Sequence, residues 1–201
     1  MLNFNISDMC SKGKVLLCGV LLCCFFIACR EEVYMPKPRG YFRIKIQDTT
    51  YQPLKGYFPF FFEYSKWGFI DTLENKDKYW VNMIYPNLNA VLFMTYKDMD
   101  DFQLDDLIND SRMFAFKQII KADDIIESQI LDTANQLYGR IYETVGNEAA
   151  CPFQFWITDR KEHFFRASLY LNTVPQNDSL EPVITYLKKD MLHLIETFQW
   201  K

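Results

Sequence analysis

The side chains able to make or break bonds are few in this chain of 201 residues: six cysteines and two histidines stand among 26 carboxylates. Cys29 has the surroundings that point to a reaction. It closes the unbroken apolar or small run 15–28, which follows Lys12 and Lys14 and precedes Arg30-Glu31-Glu32. A basic start, an apolar stretch and a small-residue junction make a secretory signal, here ended by a thiol where an ordinary cleavage site would stand. The predicted chemistry is acylation of Cys29, which becomes the first residue of the processed chain. The run is shorter than the about 17–25 residues an uncut membrane-spanning helix needs. It also lacks the polar face of an amphipathic helix.

The segment Phe26-Ile27-Ala28-Cys29 resembles a bacterial lipobox, with phenylalanine at a position more often held by leucine. Residues 1–28 then read as a lipoprotein signal peptide and residues 29–40 as a lipidated tether, in which Pro36 and Pro38 favour extended backbone. Each buried methylene of an acyl chain adds about 0.8 kcal/mol, so more than one chain gives stable attachment. Cys10, Cys18, Cys23 and Cys24 leave with the signal, and Cys29 and Cys151 remain. With lipid on Cys29, Cys151 has no partner within the chain. The fold is therefore expected to rest on its core and not on disulfides.

The other reactive types form no catalytic pattern. His163 lies in a charged turn and His193 in a helix-patterned stretch. Neither belongs to a His-Glu-Xaa-Xaa-His pair, and Cys151 has no cysteine at zinc spacing. No Gly-Xaa-Ser-Xaa-Gly elbow or glycine-rich phosphate loop is present. Cys151 with His163 as a nucleophile pair is the sharper alternative. Nothing local activates the thiol, however, and a buried inert cysteine is the simpler reading. The carboxylates of Asp100-Asp101, Asp105-Asp106 and Asp123-Asp124 are adjacent, and adjacent residues on a helix do not face each other. No enzymatic activity, metal or cofactor is expected. The net charge of −4 argues against nucleic acid as a partner.

The elements that would position these groups can be read from periodicity. Phe42, Ile44 and Ile46 alternate with polar residues, which predicts a strand. Phe58–Tyr64 reads as an aromatic strand that Pro59 confines to an edge or a strand start. Tyr79–Tyr85 and Ala90–Tyr96 read as a hairpin joined by Pro86-Asn87-Leu88-Asn89. Leu104, Leu107, Ile108, Phe114 and Ala115 fall on one helical stripe, with Asp100 or Asp101 as the expected N-cap. Ile125–Ile130 and Leu137–Val145 return to strand character, with a bulge expected at Gly139. Phe153–Thr158 and Phe164–Leu171 pair across the polar turn 159–162. The last helix carries Ile184, Leu187, Met191, Leu194, Ile195 and Phe198 inward and Lys188, Lys189 and Asp190 outward, with Ser179 as N-cap and Pro182 in the first turn. Strands and helices do not alternate strictly, so the expected fold is α+β: residues 41–201 as one domain, a mainly antiparallel sheet with two principal helices packed on it. The strand-rich start with Phe62-Glu63-Tyr64-Ser65-Lys66-Trp67, the mid-chain helix and the closing helix resemble the PsbP/Mog1-like arrangement.

Two surface features stand out. Lys37, Arg39, Arg43 and Lys45 form a basic strip beside the anchor, either solvated or in contact with acidic headgroups or an acidic partner. The run Tyr57-Phe58-Pro59-Phe60-Phe61-Phe62 is either core shared with a neighbouring element or a partner-binding patch.

Several segments in fixed order then resemble one family. They run from Pro36-Lys37-Pro38-Arg39-Gly40-Tyr41 through Phe62-Glu63-Tyr64-Ser65-Lys66, Tyr79-Trp80, Ile84-Tyr85-Pro86 and Phe153-Gln154-Phe155. They end in His163-Phe164-Phe165-Arg166-Ala167-Ser168-Leu169-Tyr170, Asn177-Asp178-Ser179-Leu180-Glu181-Pro182-Val183-Ile184 and Glu196-Thr197-Phe198-Gln199-Trp200-Lys201. The chain resembles the GldD family of gliding motility lipoproteins of Bacteroidetes. The resemblance implies a non-catalytic envelope protein, lipidated at Cys29 with chains such as palmitate, and anchored in the outer membrane. Its implied partners are other gliding lipoproteins or type IX secretion components. The alternative is an envelope binding module for a cell-wall fragment or hydrophobic ligand. A hydrolase ranks behind both.

Overall fold

A computed structural model describes residues 50–72 and 80–201. The signal, Cys29, the tether, the basic strip Lys37, Arg39, Arg43 and Lys45, and the alternating stretch 42–46 lie outside the described residues. In chain order the elements are β1 (Tyr51–Pro53), β2 (Phe60–Phe61), β3 (Glu63–Ser65), β4 (Phe69–Asp71), β5 (Trp80–Tyr85), β6 (Ala90–Asp98), α1 (Leu104–Phe116), β7 (Asp124–Asp132), β8 (Leu137–Val145), β9 (Phe153–Thr158), β10 (His163–Leu171), α2 (Asn177–Glu196) and β11 (Gln199–Trp200). A seven-stranded sheet runs β4-β5-β6-β10-β9-β8-β7, and every neighbouring pair is antiparallel. β1 with β3, and β2 with β11, form two small antiparallel ribbons. The fold is α+β, with a large antiparallel sheet and two principal helices.

Alternation along the central strands explains why the helices sit on opposite faces. Phe155, Ile157, Phe165, Ala167 and Leu169 point into the main core with Leu187, Met191 and Leu194 of α2. Trp156 and Phe164 point the other way, into a second cluster with Ala115, Leu104, Leu107 and Ile108 of α1. Covered on both sides, β9 is buried at every position. Phe60 and Phe62 of the aromatic run are fully buried, stacked 5.9 Å apart and packed against Phe165 and Phe198. The run is core at these positions, while Tyr57 is exposed.

Both expected hairpins form. A 3₁₀ turn, Pro86–Leu88, joins β5 to β6, and Asn89 closes it in the left-handed region. Asp159 Oδ1 accepts the N–H groups of Lys161, Glu162 and His163 at 2.9–3.0 Å and so locks the β9–β10 turn.

Other expectations are corrected. The stretch Phe58–Tyr64 is not one strand; it divides into β2, which starts directly after Pro59, and β3. Asp100 and Asp101 do not cap α1. They lie in a 3₁₀ turn whose cap is Asp98, and Gln103 precedes α1. Gly139 forms no bulge, because its register is continuous with both β7 and β8's other neighbour β9. It serves close approach instead: a Cβ there would stand 2.0 Å from the Trp156 carbonyl oxygen. α2 begins at Asn177, so Ser179 lies inside it and Pro182 falls beyond the first turn. Asp190 faces the core and not solvent.

Candidate functional site

The structure gathers titratable side chains where the β1–β3 ribbon meets α2. His193 Nε2 lies 2.9 Å from Glu63 Oε2, and its ring stacks on Tyr51 at 3.5 Å. Tyr51 Oη donates to Asp190 Oδ1 at 3.4 Å. The Glu63 N–H donates to Thr197 Oγ1, which itself donates to the carbonyl of His193. Asp190 is 1% exposed. Burial pushes its carboxyl up to about 6, against the opposing pull of Ser65, Tyr51, Tyr85 and His193. Burial, and then the neighbouring Asp190 charge, raise the Tyr85 phenol well above its ordinary value. The two groups sense each other, yet Tyr85 Oη and Asp190 Oδ2 are buried without a hydrogen bond of ordinary geometry. Asp190 forms the buried end of the cluster and Glu63 with His193 its part-exposed end, and together they hold the ribbon to the helix.

A second arrangement is open. The β7–β8 turn, the β9–β10 turn and β11 surround a cleft of about 320 Å³ lined by Asn135, Gln136, Asp159, His163, Gln199 and Trp200. His163 Nδ1 and Tyr96 Oη share a 2.7 Å hydrogen bond, and the imidazole stacks on Trp200 at 5.0 Å. Trp200 Nε1 donates to the carbonyl of Gln136, a residue held at φ 54°. Amides, a carboxylate and ring surfaces in a polar cleft suit a neutral polar ligand.

His163 and Cys151 do not come together. Cys151 is buried in the β8–β9 connection and donates weakly to the Phe153 carbonyl at 3.7 Å. Burial pushes its thiol up to about 12, far from a reactive thiolate. Among the described residues, no group of His, Cys, Asp and Glu is placed to hold a metal ion.

The Glu63–His193–Asp190 cluster escaped the sequence reading, although a signal was present. Asp190 lies three residues after Leu187 and four before Leu194, on the apolar stripe of α2. A carboxylate at such a position needs partners from elsewhere in the fold.

Comparison with known proteins bears on the whole domain. No curated protein sequence matches this chain. Among solved structures, the solution structure of cyanobacterial PsbP (CyanoP) from Synechocystis sp. PCC 6803 is similar, with a TM-score of 0.46 and 11% identity, covering 78% of this chain and 96% of that chain. A family described as the gliding motility lipoprotein GldD matches residues 31–200, which include both clusters, both helices and every described strand. On that match, the chain belongs to the GldD family of gliding motility lipoproteins.

Proposed function

We propose that this protein is a non-catalytic scaffold or stabilising partner, held at the outer membrane by lipid on Cys29, that supports gliding motility and the associated type IX secretion machinery. The observation that carries this reading is the family match over residues 31–200. Membership in that family implies a role in gliding motility and a lipid-anchored place in the cell envelope. In this reading residues 1–28 are removed, residues 29–40 tether the domain, and Lys37, Arg39, Arg43 and Lys45 face acidic headgroups or an acidic partner. The anchor acts through effective concentration, confining the domain to the surface where its partners lie.

The test is deletion of the gene in its host, scored for surface spreading and type IX cargo export in one strain. Rescue by the wild type but not by Cys29→Ala supports an anchored component of the shared machinery. Normal spreading and export in the deletion strain would sink the reading.

One observation favours a second reading, an envelope binding module: the open cleft with stacked His163 and Trp200. N-acetylglucosamine trimer titrated against tryptophan fluorescence tests it. Saturable quenching lost in Gln199→Ala supports ligand binding there, and an unchanged signal removes it.

A further inference from the structure

We infer that the outer edge of β7 is a docking site for an extended, basic segment of a partner protein, which adds to the sheet as a further strand. This names the kind of partner for the scaffold reading above and rests on it. The sheet has two edges of very different character. β4 is three residues long, and shortness itself protects an edge. β7 runs nine residues, and no described residue pairs with its outer side. Of the other devices that blunt an edge, β7 has charge alone, in the form of acidic side chains. β7 has no lysine, proline or glycine, and its register with β8 is continuous from Asp124 to Asp132 without a bulge.

The backbone shows which groups are on offer. The N–H of Ile125 is taken by the Asp124 carboxylate at 2.8 Å and so turns away from β8. Alternation then turns the N–H and C=O groups of Glu127, Gln129 and Leu131 outward as well. Apolar surface lies on both faces of this edge. Ile126, on the α2 face, is 48% exposed and Leu131, on the α1 face, is 59% exposed. An added strand would cover both, with main-chain hydrogen bonds supplying affinity and alternate side chains supplying selectivity.

Charge selects the occupant. Asp124, Glu127 and Asp132 are the charged residues of β7, all acidic. Two copies paired antiparallel about Ser128 would set Asp124 against Asp132 twice, and like charges placed opposite each other destabilise a sheet. Glu127 has Arg140 at 3.9 Å and Asp132 is bound by Ala134 and Asn135 of the β7–β8 turn, yet the strand itself carries acids alone, and a partner strand bearing Lys or Arg meets them favourably.

The experiment uses the full-length lipidated protein in its host. A photo-crosslinking p-benzoylphenylalanine at Leu131 is expected to give an adduct with another protein, mapped to an extended segment bearing Lys or Arg. The same group at Thr185, on the exposed side of α2, is expected to give none. Gln129→Pro removes one outward N–H and leaves the ladder to β8 intact, so adduct yield should fall at least tenfold. The variant Glu127→Lys should lower it similarly without removing a backbone hydrogen bond, and it decides the matter if the proline variant fails to fold. Absence of an adduct at Leu131 overturns the inference. So does an adduct of two copies, one with residues 29–49 of the same chain, or one that folded variants leave unchanged. The deletion strain separates the two readings: normal spreading with the adduct intact sinks the gliding role and leaves the docking edge standing, and lost spreading without an adduct does the reverse.

Discussion

Asp190 carries a charge into the interface between α2 and the sheet, and that makes the cluster sensitive to pH. Its carboxyl is raised to about 6 from an ordinary 3.8, burial being the main cause. Ser65, Tyr51, Tyr85 and His193 act on it from the ribbon, the sheet and the helix, with Glu63 bonded to His193 and Tyr186 facing Tyr85 behind them. The folded protein therefore binds this proton more tightly than the unfolded chain does. Its stabilising contribution is fully present below about pH 3.8 and is lost as pH rises through about 6. Asp190→Asn keeps the shape and removes the titration. Melting temperatures of the two proteins should thus diverge in favour of the variant between pH 4 and pH 7, and a difference independent of pH would refute the assignment. Gly139 matters for a different reason. Its missing side chain lets the Trp156 carbonyl approach within 2.0 Å of where a Cβ would be. Backbone cannot swing aside as a side-chain tip does, so Gly139→Ala should cost about 3 kcal/mol, the upper end of overpacking. Urea denaturation reads that loss.

At the scale of elements, what the sequence revealed and what it concealed have separate physical origins. Periodicity made both helices, the β5–β6 hairpin and the β9–β10 pair legible, because each strand or stripe declares its buried face locally. Where α2 starts was not legible, since its start is fixed from a distance. Asn147, in the β8–β9 connection, accepts the N–H of Asp178 with its side chain and that of Asn177 with its carbonyl. The Asn177 side chain in turn donates to the carbonyls of Gly146 and Ala149 at 2.7 and 3.0 Å. Ser179, the local candidate, is left inside the helix. The titratable cluster was hidden by the same kind of cause: Glu63 and His193 meet only because the ribbon folds over α2. A direct contrast follows. Asn177→Ala leaves buried carbonyls unpaired and should cost about 1–3 kcal/mol. Ser179→Ala should change stability by less than about 0.5 kcal/mol. If the serine variant is the more damaging one in chemical denaturation, the cap is local after all.

At the scale of the whole molecule, folding and location separate. Among the described residues, the core joins the central sheet to α2 and the buried Phe60 and Phe62. Under the proposed function, the role of Cys29 is to carry the lipid. Cys29→Ala should therefore leave the melting temperature within about 1 °C of the wild type while releasing the protein from the membrane fraction and abolishing palmitate labelling. Function should fall for the same physical reason, since a released domain is diluted into the whole compartment instead of being held at millimolar effective concentration beside its partners. Replacing residues 1–29 by the leader and acylated cysteine of another lipoprotein sorted to the same membrane restores the anchor without the native residues. That chimera should recover spreading in the deletion strain if the anchor supplies location alone. Failure of a chimera that is membrane-bound and folded would mean that the native leader contributes more than attachment.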